Sequence, residues 1–188
     1  VEIVAGREEA RLIYLGVAHS EADDDAARLV VDIGGGSTEL IIGERFEARI
    51  LESLHMGCVS YQRRFFVDGV ITKGRCDQAY RAAYMELLNI REEFRAQGWR
   101  DCVGSSGTYL AIAEILRAQS RGAITRSGLH TLRDQLIQCG HVDKLGSIVG
   151  LKAARHGVIA AGTAIACAIM DALEIDAMRA SSGALREG

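Results

Sequence analysis

The sequence predicts an α/β lobe on a mixed five-stranded sheet: an antiparallel meander joined to two parallel strands, with helices on both faces. Three observations carry that expectation. Two apolar runs, 29–33 and 40–42, flank a Gly-Gly-Gly-Ser-Thr turn, the signature of a β-hairpin. A third segment, 45–54, places Phe46, Ala48 and Ile50 at period two and extends the hairpin into a meander. Beyond it, short strands alternate with helical segments. Right-handed crossovers wind that order into a sheet covered on both sides.

Composition bounds the reading. A chain of 188 residues suits one domain, or one lobe of a larger protein, and can bury a sizeable core. With 48% hydrophobic and 25% charged residues it belongs with globular rather than disordered chains. A formal net charge of −3 gives no bulk attraction to nucleic acid or to anionic lipid, so neither is an expected partner. The five cysteines (Cys58, Cys76, Cys102, Cys139 and Cys167) are scattered and form no Cys-x-x-Cys pair. They read as reduced thiols of a cytoplasmic protein. The longest apolar run, 158–170, contains Gly162 and Thr163 and is too short to cross a bilayer, so it reads as a buried helix. Proline is absent where average usage gives about nine. Helix ends and loops therefore rely on Gly, Ser, Thr and Asp.

Taken in order, residues 1–6 read as a strand and turn already in progress, the end of a missing amino-terminal lobe, and residues 7–188 as a single lobe. From 7 to about 18 the pattern is helical, with Leu12, Ile13, Leu15 and Gly16 on one side. Glu8 and Glu9 fall in its first turn, where the helix dipole favours anions. The polar segment 19–27, with Asp23, Asp24 and Asp25, reads as a solvated loop. After the meander, 56–66 is a short helix. Thr72 is the expected N-cap of a long one running to about Gln97 and closed by Gly98. Its stripe of Tyr80, Ala83, Tyr84, Leu87, Leu88 and Phe94 is a packing face. Arg63 and Arg64 read as solvated. A short strand at 101–103 feeds a Gly-Ser-Ser-Gly-Thr loop and a helix over 109–118. A further helix over 125–138 turns Leu129, Leu132, Leu136 and Ile137 inward. A connection over 142–151 and a long small-residue helix over 155–173 follow, with a last strand at 177–180.

Chemistry gathers at two of these turns. In the first, Gly34, Gly35, Gly36 and Ser37 line a concavity with main-chain N–H groups, and their glycines permit positive φ. Asp32 enters the turn and Glu39 leaves it. Two carboxylates repel a bare phosphate, but with Mg²⁺ between them they recruit one. The loop lacks the Gly-Lys-Ser/Thr ending of a Walker A motif, and a strand rather than a helix follows it, which excludes the dinucleotide fingerprint. In the second, Ser106, Gly107 and Thr108 lie between a strand and a helix N-terminus, a common arrangement for holding phosphate. The element order resembles that of a ribonuclease-H-like (actin-like ATPase) lobe.

Five segments together resemble the exopolyphosphatase/guanosine pentaphosphate phosphohydrolase (Ppx/GppA) family, second actin-like lobe. They are Gly-Arg-Glu-Glu-Ala-Arg-Leu-Ile at 6–13, Val-Asp-Ile-Gly-Gly-Gly-Ser-Thr-Glu-Leu at 31–40, Met-Gly-Cys-Val-Ser at 56–60, Ser-Gly-Thr at 106–108 and Gly-Ala-Leu-Arg-Glu-Gly at 183–188. The resemblance implies a phosphoanhydride hydrolase that releases terminal phosphate from inorganic polyphosphate or guanosine pentaphosphate, using Mg²⁺ or Mn²⁺. It implies Glu9 as the catalytic glutamate that orients or deprotonates water, and counts it also among the metal residues. It implies Asp32 and Glu39 as metal ligands, and Gly35, Gly36 and Ser37 as the phosphate cradle. Ser106, Gly107 and Thr108 would face that cradle. It further implies a homodimer in the full protein and an amino-terminal lobe completing the cleft, so that this chain alone turns over little. Nothing here matches that lobe's phosphate loop and arginine. The segment 146–162 lacks the family's prolines but keeps Arg155. Two other readings share the same loops: a phosphotransferase (kinase) lobe of the actin-like type, and a non-catalytic module for phosphate binding or dimerisation.

Overall fold

Helix α1 (Gly6–Ser20) opens the fold and the meander β1 (Arg28–Ile33), β2 (Thr38–Glu44) and β3 (Glu47–Leu54) follows it. The computed structural model describes residues 6–20 and 26–181, with the side chains of Arg7 and Ser20 left aside. After the meander come α2 (Cys58–Phe65), α3 (Lys73–Leu87), α4 (Arg91–Gln97), β4 (Asp101–Ser105) and α5 (Ser106–Ala118). The two-residue strand β5 (Ile124–Thr125), α6 (Arg126–Cys139), α7 (Ile159–Ala172) and β6 (Ala177–Ala180) complete the chain. The sheet order is β3-β2-β1-β4-β6-β5. Strands β1, β2 and β3 are antiparallel neighbours, and β4 and β6 continue the sheet in parallel with β1.

The expected α/β class, meander and parallel pair are all present, with six strands instead of five. The added strand is β5, which pairs antiparallel with the outer side of β6. Two residues are too few to show a period.

Alternation along the strands divides the core. Leu29, Val31, Ile33, Leu40 and Ile42 face the larger cluster, with α7 at its centre. Val30, Ile41 and Val103 face the other way, onto Ala10, Ile13, Tyr14 and Val17 of α1. Burying Ile13, Val17 and the Tyr14 ring contributes on the order of 1.5–3 kcal/mol each. The Tyr14 hydroxyl also donates to the Arg45 carbonyl (3.1 Å). Helix α7 is buried at every position but Asp171, as expected for the apolar run, because its small residues let neighbouring elements approach closely.

Several expectations shift in detail. Arg45 and Phe46 form the β2–β3 turn, with Arg45 at φ 54°, so β3 begins at Glu47 rather than at 45. The single helix expected from Thr72 to Gln97 breaks at 88–90, where the Leu88 amide donates to the Met85 carbonyl and the Ile90 amide to the Leu87 carbonyl. No glycine or proline marks that break. Both outer ends hold: the Thr72 hydroxyl accepts from the Arg75 amide (3.3 Å), and Gly98 closes α4 at φ 69°. Helix α7 starts at Ile159, while Ala153–Arg155 is a separate 3-10 turn. Helix α1 takes in Gly6, expected in a turn, and His19 and Ser20, expected in the polar loop. The rest of the expected strand and turn at 1–6, residues 21–25 of that loop and the motif at 183–188 lie outside the described residues. Among the described residues, no helix is long and apolar enough to cross a membrane.

Candidate functional site

Strand register sets four polar residues in one row across the sheet. Asp32 lies opposite Glu39, Glu39 opposite Ser53, and Asp32 level with Ser105 on the parallel strand. Each is two positions from a residue (Val30, Ile41, Leu51 or Val103) that packs beneath α1, so the period of two puts all four on the α1 face. Glu9 stands one helical turn before Ile13 and shares its side of α1. The three carboxylates therefore converge: the charge of Glu9 is felt at both Asp32 and Glu39.

Burial works against ionising the pair, since Glu39 is 1% and Asp32 8% exposed. It pushes Asp32 up to about 6, with the Ser105 hydroxyl opposing the rise and the charges of Glu39 and Glu9 adding to it. Burial also raises Glu39, against hydrogen bonds from Ser37 and Ser53. The Ser53 hydroxyl donates to Glu39 Oε1 at 2.9 Å. An acid raised on folding favours the folded chain while it is protonated and penalises it once charged. For Asp32 that penalty sets in as pH rises from about 4 to about 6 and amounts to about 3 kcal/mol. Asp32→Asn should therefore raise the melting temperature at pH 8, without divalent cation, by roughly 5–10 °C. The gain should vanish below pH 4. A melting series over pH checks this, and an equal gain at both ends of the range would refute it.

The glycine loop is held from behind. The Gly34 carbonyl accepts from the Cys58 amide (2.9 Å), and the Gly35 carbonyl from the amides of Val59 (2.9 Å) and Ser60 (3.0 Å). The first turn of α2 thus spends its free N–H groups on the loop. This requires Gly57, where a β-carbon would run into the Gly35 carbonyl and stand 2.5 Å from the Gly36 carbonyl carbon. The Gly34 amide donates to the Ser37 carbonyl (3.0 Å) and is not open to a ligand, which corrects the expectation for that residue. Among the described residues, the amides of Gly35, Gly36 and Ser37 have no partner. None of the three glycines takes positive φ, so the expected reason for them is also corrected. Gly36 leaves the loop's outer surface bare, since a β-carbon there would meet nothing within 4 Å, whereas one on Gly35 would rest against Val59 at 3.5 Å.

Ser106, Gly107 and Thr108 form the first turn of α5 rather than a loop. Ser106 holds φ 91°, a conformation that costs a non-glycine residue about 1–3 kcal/mol. Its hydroxyl oxygen is buried and, among the described residues, has no hydrogen-bond partner. The Thr108 hydroxyl is committed inward: it donates to the Ile33 carbonyl (3.2 Å), tying this turn to the strand that feeds the glycine loop. Its side chain therefore does not face a ligand, contrary to expectation. Over Gly107 lies the guanidinium of Arg155, which a β-carbon there would overlap.

Arg155, Gly57, Ser53 and Ser105 are the residues that sequence reasoning left without a role. Arg155 is hidden among Ala153, Ala154 and Lys152, good helix formers that draw the segment into α7. Gly57 had a signal in the Met-Gly-Cys segment. Among the described residues, no three His, Cys, Asp or Glu side chains stand close enough to cage a metal ion. Glu9 is thus not a third ligand in this arrangement, which corrects that expectation. The remaining pair fits Mg²⁺ or Mn²⁺, since Mg²⁺ takes one or two carboxylates and completes its shell with water and phosphate oxygens.

Fold and site define an α/β lobe that sets a buried carboxylate pair beside a bare-amide loop and a helix N-terminus. The family model described as the Ppx/GppA phosphatase family matches residues 1–188, and the chain belongs to that family. It is 47% identical over 189 residues to a guanosine-5'-triphosphate,3'-diphosphate pyrophosphatase of Aeromonas hydrophila and 46% to one of Vibrio vulnificus. In each case all of this chain matches, and it spans 38% of the relative's length. The crystal structure of the Aquifex aeolicus Ppx/GppA phosphatase, type II variant, superposes with a TM-score of 0.83 at 25% identity, covering 100% of this chain and 63% of that one. An exopolyphosphatase of Cytophaga hutchinsonii superposes at 0.84 with 23% identity over the same shares, a likeness of fold.

Proposed function

We propose that this chain is one lobe of a hydrolase that removes a terminal phosphate from guanosine pentaphosphate, or from inorganic polyphosphate, by attack of water. The observation that carries the reading is the row Asp32–Glu39 beneath Glu9 and beside the unpartnered amides of residues 35–37. Both substrates end in the same phosphoanhydride. The names of the curated relatives favour the guanosine compound.

Phosphoryl transfer asks chiefly for positioning and for neutralising charge on the equatorial oxygens. In this reading the amides of Gly35, Gly36 and Ser37 receive those oxygens, and the α5 N-terminus at Ser106 and Gly107 faces them. The Arg155 guanidinium adds a full positive charge beside that N-terminus. Asp32 and Glu39 would hold Mg²⁺ or Mn²⁺, which when bound supplies Lewis-acid neutralisation of the phosphate. Glu9 accepts a proton from the attacking water and aims it. The cleft's opposite wall comes from the lobe outside this chain, and the five free cysteines support a cytoplasmic setting.

The test is phosphate release from both substrates in Mg²⁺, by a protein joining this lobe to the rest of the family's length. Release from either supports the reading; transfer of phosphate to an acceptor other than water, with none released, overturns it. A sharper check uses Gly36→Ala. Because the added carbon meets nothing, stability should stay within about 0.5 kcal/mol, or roughly 2 °C in melting temperature. Yet the methyl group stands where the phosphate would lie. The rise in melting temperature given by short polyphosphate with Mg²⁺ should be lost. An undiminished rise would show that the loop is not the cradle.

A further inference from the structure

We infer that Ser53 and Ser105 are positioning residues, which grip the outer sides of the Glu39 and Asp32 carboxylates so that both present oxygens to one divalent cation. This rests on the reading of Asp32 and Glu39 as the cation pair. The geometry is the four-residue row. Ser53 and Ser105 stand at its two ends, on β3 and β4, and the acids stand between them on β2 and β1.

Residues directly opposite on antiparallel strands have β-carbons about 4.5–5.5 Å apart. Two like charges so placed, in a buried site without cation, would swing away from each other. Ser53 fixes where that swing stops at Glu39: its hydroxyl donates to Oε1 at 2.9 Å, while Oε2 lies on the loop side, 4.0 Å from where a Gly34 β-carbon would sit. The Ser37 hydroxyl, on the loop side, also works against the rise that burial imposes on this carboxyl. At the other end Ser105 is wholly buried and level with Asp32 on the neighbouring parallel strand, where its hydroxyl offsets part of the burial of the Asp32 carboxyl.

Ser53 also touches the start of α1. A β-carbon on Gly6 would come within 3.0 Å of both Ser53 Cβ and Oγ. The same serine thus orients Glu39 and abuts the helical turn that carries Glu9. Hydrogen bonds to ligating carboxylates of this kind typically govern metal affinity.

The experiment is a titration of the purified chain with Mn²⁺, read from the electron paramagnetic resonance signal of the free ion, with no turnover involved. Ser53→Ala and Ser105→Ala should each weaken Mn²⁺ binding about 10-fold or more. Their far-ultraviolet circular dichroism should match that of the parent chain. Ser53→Thr, which keeps the donor, should bind as the parent does. Unchanged affinity in either alanine variant overturns the assignment for that serine and leaves the cation pair standing. Failure of threonine to restore binding overturns it for Ser53, since packing rather than the donor would then be at work. A parent chain that does not bind Mn²⁺ overturns the cation pair and the serine assignment together.

Discussion

Glu9→Gln should lower phosphate release by about 10²–10⁴-fold, the range that a positioned general base contributes. The substitution keeps the shape of the side chain and removes only its capacity to take a proton. Its placement leaves little room for a substitute. Glu9 sits one turn before Ile13 on the face of α1 that packs on the sheet, near enough for its charge to bear on Asp32 and Glu39. The other first-turn acid, Glu8, is exposed and occupied with Arg11 at 2.7 Å. KM should change little, because the lost contact is made in the transition state. The measurement is steady-state kinetics on the protein restored to the family's length. A loss of kcat smaller than about threefold would remove Glu9 from the mechanism.

Gly57→Ala should be the most damaging single methyl group in the site. Its backbone, at φ −134° and ψ 158°, suits any residue, so the effect is purely steric. The added carbon would press on main-chain atoms of Gly35 and Gly36, which have no rotamer to yield. Overpacking of this kind costs about 1–3 kcal/mol, or a fall of roughly 3–10 °C in melting temperature for a chain of this size. Relief by moving the loop would pull the Gly35 carbonyl from the Val59 and Ser60 amides and turn the cradle away. Thermal melting and polyphosphate binding should therefore both suffer, whereas Gly36→Ala should affect only binding. A Gly57→Ala chain with parental melting temperature and affinity would refute the bracing role of α2.

Much of the lobe is legible in the sequence because its signals are local. The hairpin, the meander and the Thr72 and Gly98 helix ends rest on periodicity, turn residues and caps within a few positions. The acids Asp32 and Glu39 are legible because a two-residue turn at Gly35–Gly36 makes them cross-strand partners. What the sequence hides depends on contacts distant along the chain. Nothing near Leu88 announces the break before α4, and nothing around Ile124 announces a sixth strand. Thr108 reads as a ligand-facing hydroxyl until the carbonyl of Ile33, 75 residues away, is seen to claim it. The same holds for Ser53 and Ser105, ordinary strand serines until register brings each beside a carboxylate. Arg155 reads as helical because its neighbours favour helix, and its contact with Gly107 is visible only in three dimensions.

The division of the apolar interior has a bearing on how the lobe can fail. Helix α1 rests on one side of the sheet alone, through a handful of side chains, while the acid pair is rooted in strands clamped by the main core. Peeling α1 away would expose that minor layer and the acid row on the same face, and leave the main core standing. In the proposed reaction the proton acceptor then hangs on the thinner of the two apolar layers, while the strands that carry the cation pair are held by the thicker one.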